Sequence, residues 1–266
     1  RSLDIEGRER MPRDRPVLVV ANHGNGFVDP IVVAAVLGRL PRFLGKAALW
    51  KVVVARPFLA LAGVLPVHRR ADGDRSSDNE SVFAACHREL ALGGTVAIFP
   101  EGTTGDRAGL DRVRSGAARI ALGAVPRAPE VAIVPIGLAF ESRVETRSRA
   151  AVMVGQTIDV APFASGPIVD GDAARDDVER LTDTVRRALE AVSPEFASVD
   201  ERDLLRAAAR ATLRATSPRR EPRFGAVEVL ARRLAAAAPQ QRLAIADAFA
   251  RYATRLELLG ITDRQL

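Results

Sequence analysis

Residues 15–30 read RPVLVVANHGNGFVDP, and this stretch decides the fold. Residues 15–22 form a short β-branched apolar run that stops at a polar, glycine-bearing turn, His23 to Gly26, the pattern of a buried strand feeding an exposed loop. Pro30 suits the first turn of a helix with Asp29 as its N-cap, and Ile31 to Leu40 supply the helical run. Strand, turn and helix therefore bring His23 and Asp29 to one edge of a sheet.

Working outward, strands are expected at 41–46, 63–68, 95–99, 131–140 and 151–155, and helices at 79–92 and 114–124, with a mostly helical apolar segment at 47–62. Strands alternating with helical runs predict an α/β fold: a mainly parallel central sheet flanked by helices. Ligands of such sheets gather at the carboxyl ends of strands, where His23, Arg69 and Glu101 each follow a predicted strand. Beyond Asp170 the pattern turns to helices at about 173–192, 200–215, 225–237 and 239–259, with TSPRREPRF, 216–224, as a linker. Residues 1–195 are read as one α/β domain and 196–266 as a basic α-helical extension.

The 266 residues, 47% hydrophobic and 27% charged, are ample for a sizeable core. A single cysteine, Cys86, excludes an internal disulfide, and with three histidines leaves almost nothing for a structural zinc site, so no metal is expected. The net charge of +6 lies wholly at the C-terminal end: residues 1–200 carry 26 basic and 26 acidic side chains, residues 201–266 carry 13 and 7. That end is a candidate for an anionic membrane surface. Nucleic acid is disfavoured because only Phe224, Phe249 and Tyr252 interleave the arginines there. No run of about 18 uninterrupted apolar residues marks a membrane span. The chain starts at Arg1 without an initiator methionine, so it is read as a fragment whose missing flanks could hold anchors.

The sharpest chemical feature is Asn22-His23 with Asp29 six residues beyond the histidine. An imidazole whose Nδ1–H faces a carboxylate keeps Nε2 free to take a proton from a hydroxyl. No G-x-S-x-G elbow, P-loop, H-E-x-x-H or C-x-x-C accompanies it. Cys86 beside His87 is not a thiol–imidazole pair, since adjacent helical positions diverge, and it reads as a buried core residue. A base without a protein nucleophile implies that the nucleophile comes from a substrate. Three further blocks follow: GVLPVHRR at 63–70, FPEGTT at 99–104 and IVPIG at 133–137. Singly, they read as a basic pair after a strand, a plain turn and a buried strand.

In this order and spacing the four blocks resemble the glycerolipid acyltransferases, in which an N-H-x4-D, a G-x-x-P-V-x-R, an F-P-E-G-T and a V-P-x-G block follow one another. The likeness spans roughly Leu3 to Ala191 and includes KAAL with Lys46 and Leu49. It implies an O-acyltransferase of phospholipid synthesis that moves a fatty acyl group from acyl-CoA or acyl carrier protein to glycerol 3-phosphate, with lysophosphatidate as the alternative acceptor. It further implies His23 as general base, Asp29 as its partner, Arg69 as the phosphate ligand, and Glu101, Gly102 and Thr103 as acceptor-binding residues. No cofactor is implied beyond the thioester co-substrate, and the place of action would be the cytoplasmic face of a membrane, peripherally or through anchors outside this chain.

Two departures stand out. Five residues, not four, separate His23 from Asp29, which resembles a branch with fungal-type glycerol-3-phosphate and dihydroxyacetone-phosphate acyltransferases. Thr104 stands where lysophosphatidate enzymes often carry arginine. The extra residue also leaves open a catalytically silent lipid-surface protein, whose His23 and Asp29 side chains would point apart.

Overall fold

The computed structural model describes residues 2–46, 63–67, 77–103, 105, 108–142, 148–168, 171, 173–217 and 220–262. Every residue of β2 (Val17–Ala21) is buried, as an unbroken β-branched run must be when both faces of a sheet are covered. Around it lie β1 (Leu3–Glu6), β3 (Arg42–Lys46), β4 (Leu65–Val67), β5 (Thr95–Ile98), β6 (Ala132–Phe140), β7 (Ala150–Val154) and β8 (Ile158–Asp159). The sheet runs β1-β7-β6-β2-β5-β3-β4, with β8 also on β6. All neighbours are parallel except β6 with β7 and β6 with β8, so the expected mainly parallel α/β sheet is what forms.

Seven helices are described: α1 (Val28–Leu37), α2 (Ser77–Ala91), α3 (Gly116–Ala124), α4 (Arg175–Glu190), α5 (Val199–Thr216), α6 (Phe224–Ala235) and α7 (Pro239–Leu259). The period-two alternation of β2 divides the core. Leu18 and Val20 face a cluster with Cys86 and Leu90 of α2, Ile120 of α3, and Leu181 and Val185 of α4. Val17, Val19 and Ala21 face the opposite cluster, to which α1 brings Val33 and Val36. Cys86 is fully buried and its thiol is pushed up to about 12, first by burial and then by the Glu89 carboxylate, which fits an inert core residue.

The C-terminal helices dock on the far edge of the sheet. Phe224 of α6 is buried against Ala139 of β6 and Ala151 of β7, and Gly225 N–H donates to Asp4 Oδ2 of β1 at 2.9 Å. Many of the excess arginines act as struts here rather than as an open basic face. Arg206 pairs with Glu228 at 2.7 Å, Arg210 with Glu141 at 2.5 Å, Arg242 with Glu201 at 3.1 Å, and Arg214 with Glu221. Arg232 donates to the carbonyls of Glu190 and Ala191 at the end of α4.

Two local readings need correction. Asp29 is not the N-cap of α1: the helix starts at Val28 behind Phe27, and Asn25 Oδ1 accepts the N–H of Phe27 at 3.0 Å and of Val28 at 3.1 Å. Asp29, the second residue of the helix, points its carboxylate back at the preceding loop. The second is β1, absent from the sequence reading, which adds a parallel edge strand through the register Leu3↔Ala150 to Glu6↔Met153. The expected helical segment 47–62 lies outside the described residues.

Candidate active site

Parallel pairing of β2 with β5 in the register Val20↔Ile98 carries the chain, three residues further on each strand, to His23 opposite Glu101. The register is closed by a cross-strand bond from His23 N–H to Glu101 Oε1 at 2.7 Å. Asn22 fixes the other flank of β2. Its Nδ2 donates to Leu138 O at 3.0 Å and its Oδ1 accepts Leu138 N–H at 2.7 Å, so the side chain replaces two ladder bonds to β6 just where β2 ends.

Five residues bridge His23 and Asp29, and the loop closes on the carboxylate. Asp29 Oδ2 accepts the N–H of Gly24 at 2.8 Å and of Asn25 at 2.7 Å, and lies 3.0 Å from His23 Nδ1. A carboxylate can only accept, so Nδ1 carries the proton of a neutral ring and Nε2 is left as an acceptor. Among the described residues Nε2 has no hydrogen-bond partner. Asp29 is fully buried, and three donors on one oxygen offset the cost of holding a charge there. The imidazole stacks on Phe99 with centroids 4.0 Å apart, and Phe99 is backed by Phe43 at 6.4 Å. The side chains that a silent protein would hold apart are thus hydrogen-bonded, and the ring keeps 15% of its surface open.

Glu101 sits on the turn after β5. Its second oxygen accepts Asp111 N–H at 2.9 Å, so the carboxylate ties the β2 exit to the 108–114 loop. Burial pushes its pKa above the ordinary carboxylate value, against the pull of those two main-chain donors. Gly102 adopts φ +70°, which a β-carbon disfavours, and a Cβ there would stand 3.0 Å from Arg114 Nε. Arg114 Nε donates to Glu101 O at 3.2 Å, and Thr103 Oγ1 donates to Asp111 Oδ2 at 3.0 Å. His23, Asp29, Glu101, Gly102 and Thr103 therefore form one constellation at adjacent strand ends. Arg69 lies outside the described residues; β4, which leads toward it, ends at Val67 two strands from β5.

The cleft beside the ring is lined by Asn22, His23, Gly24, Glu101, Leu110 and Ser193, among others. Ser193, just past α4, is buried, and its Oγ has no partner among the described residues. It was not legible in the sequence, because only the fold brings residues 170 positions from the histidine to that cleft. The V-P-x-G block explains how: a Cβ on Gly137 would stand 1.9 Å from Val192 O, so the glycine admits the main chain that delivers Ser193.

A family model described as Acyltransferase matches residues 2–139. Glycerol-3-phosphate O-acyltransferase 2 of Saccharomyces cerevisiae is 29% identical over 226 residues, covering 77% of this chain and 28% of that protein. The 1-acyl-sn-glycerol-3-phosphate acyltransferase LPAT1, chloroplastic, of Arabidopsis thaliana is 31% identical over 137 residues, covering 51% of this chain and 35% of the relative. The chain thus spans only about a third or less of the length of these relatives. The crystal structure of the 1-acyl-sn-glycerophosphate acyltransferase PlsC from Thermotoga maritima aligns at a TM-score of 0.47 with 16% identity, covering 71% of each chain. The matched span contains the histidine–aspartate pair, the Glu101 turn and the Gly137 block, and by that match over more than half its length the chain belongs to the acyltransferase family.

Proposed function

We propose that this chain transfers a fatty acyl group from a thioester, acyl-CoA or acyl carrier protein, to a hydroxyl of glycerol 3-phosphate. The observation that carries the reading is the His23 Nδ1 to Asp29 Oδ2 contact of 3.0 Å, with His23 lining a cleft and its Nε2 without a hydrogen-bond partner among the described residues. The acceptor hydroxyl gives its proton to Nε2 as its oxygen attacks the thioester carbonyl carbon. The C–S bond then breaks, and the thiolate takes the proton back from the imidazolium, leaving an ester and a free thiol. Asp29 stabilises the transient imidazolium, and a positioned base of this kind is worth about 10²-fold to 10⁴-fold. The step uses no protein nucleophile and needs no cofactor beyond the thioester.

Glycerol 3-phosphate is favoured over lysophosphatidate by the five-residue His23–Asp29 spacing and by the 77% of the chain that aligns with a yeast protein named for that acceptor. Arg69 supplies the bidentate guanidinium for the phosphate, and Thr103 and the Gly102 main chain border the acceptor. A panel of glycerol 3-phosphate, dihydroxyacetone phosphate and lysophosphatidate with radiolabelled acyl-CoA tests the reading. Glycerol 3-phosphate should give the highest kcat/KM, His23→Ala should abolish turnover, and Arg69→Ala should chiefly raise KM for the phosphate acceptor. Turnover retained by the His23→Ala protein overturns the mechanism.

A further inference from the structure

Helix α1 inverts the usual rule for a surface helix, whose outward face is polar. Its inner face, Asp29, Val33 and Val36, is buried against the sheet. Its outer face carries Val28, Ile31 and Ala35, spaced by three and four residues, all exposed. Phe27, immediately before the helix, is 79% exposed, Ile31 68% and Leu40, just after it, 60%. Residues 24–41 contain only two charged side chains, Asp29 and Arg39; Asp29 is fully buried and Arg39 is exposed. The exposed surface of residues 24–41 is therefore dominated by large apolar side chains, with one cation just past the helix end and no exposed acid among these residues. Scattered exposed apolar residues are ordinary, but apolar residues at helical spacing on one face, with this charge pattern, mark an interaction site.

We propose that the outer face of α1, Phe27, Val28, Ile31 and Leu40 with Arg39, is the surface by which this protein seats on an anionic lipid bilayer. An acid-free apolar face with an arginine just past it complements acyl chains below and anionic head groups above. The helix that carries it also holds Asp29 in its first turn, so the same docking would set the element that positions the His23 ring at the lipid boundary, near which an acylated product would leave. This orientation rests on the acyl-transfer reading; the docking surface itself does not. The basic C-terminal helices are the weaker candidate, because Arg206, Arg210, Arg214 and Arg242 are already paired with Glu228, Glu141, Glu221 and Glu201.

The test is co-sedimentation of the whole chain with vesicles of phosphatidylcholine containing phosphatidylglycerol, and of phosphatidylcholine alone. The wild type should partition to the anionic vesicles. The double variant Phe27→Glu/Ile31→Glu should lose about 100-fold in partition, some ten-fold per side chain kept from the apolar layer. Ile31→Trp should gain several-fold, and Leu243→Glu/Leu258→Glu on α7 should change nothing. Turnover of glycerol 3-phosphate with a water-soluble short-chain acyl thioester, without vesicles, should be equal in wild type and α1 variants. If that soluble reaction fails in the wild type, the acyl-transfer reading fails while the partition data still judge the surface. Unchanged partition of the double variant overturns the proposal. So does loss of a solution dimer without loss of partition, which would assign the face to a second copy. A large fall in thermal stability of the double variant likewise overturns it, since another segment of the chain would then cover α1.

Discussion

Asp29 Oδ2 stands 3.0 Å from His23 Nδ1 and is at once the acceptor for two main-chain N–H groups of the loop between them. One oxygen thus sets both the loop and the tautomer. Asp29→Asn keeps an acceptor for the main chain but removes the charge that steadies the imidazolium. The expected result is a melting temperature near the wild type with kcat lower by about 10²-fold to 10⁴-fold. Asp29→Ala strands the part-buried donors and should cost about 1–3 kcal/mol of stability as well. Steady-state kinetics beside thermal melts separate the two effects, and wild-type kcat in the Asn variant would remove the carboxylate from the mechanism.

Glu101 joins the His23 and Asp111 main chains through its two oxygens. Glu101→Gln must turn its amide NH2 toward one of those N–H groups, so one bond is lost and two donors face each other. A stability loss of about 1–3 kcal/mol is expected, with a larger fall in kcat than in acceptor affinity if the role is to place His23. Since burial pushes this carboxyl above the ordinary range, protonation should loosen the same anchor at a pH where exposed glutamates are still charged. The acid side of the wild-type kcat profile should therefore fall more steeply than that of the Gln variant, which keeps only the loss from protonating the base itself.

The parts of this molecule legible in the sequence are those whose signal is local. β2 was plain because VLVVA sits between Pro16 and Asn22, and the pairing of His23 with Asp29 was plain because strand-exit residues of reactive type are rare in a scaffold. β1 was illegible: its LDIE is four residues with two acids, and its strand character comes from pairing with β7, nearly 150 positions away. The cap of α1 was misplaced because Asn25 and Asp29 are both capping types, and only the loop's closure on Asp29 leaves the capping bonds to Asn25. Asn22 and Ser193 acquire their places through residues far along the chain, which no spacing encodes.

Gly137 offers a test of the fourth block as a packing device. A methyl group there would press on Val192 O at 1.9 Å and on Ser193 N at 3.0 Å, both main chain and unable to rotate away. Gly137→Ala should cost about 1–3 kcal/mol by overpacking and shift the cleft wall that carries Ser193. Melting temperature and kcat should fall together. A variant as stable as wild type would show that the end of α4 yields freely and that the glycine is dispensable.

Glu141, at the end of β6, binds Arg149 at 2.6 Å and Arg210 of α5 at 2.5 Å, and so fastens the C-terminal helices to the sheet. The Arg149 hydrogen bond is the main cause of a pKa lowered to about 2, opposed by burial and helped by the charge of Arg210. A carboxyl depressed on folding contributes stability that is whole above its unfolded value near 4.5 and is lost as pH falls through about 2. Screening at this partly exposed site reduces that contribution to the order of 1 kcal/mol. Glu141→Gln should accordingly be less stable than wild type at pH 7 by about that amount. Denaturant titrations followed by far-ultraviolet circular dichroism should show the difference closing between pH 4.5 and 2, where the wild-type carboxyl also becomes neutral. A gap that persists to the acid end would mean that Glu141 stabilises the docked helices by packing rather than by charge.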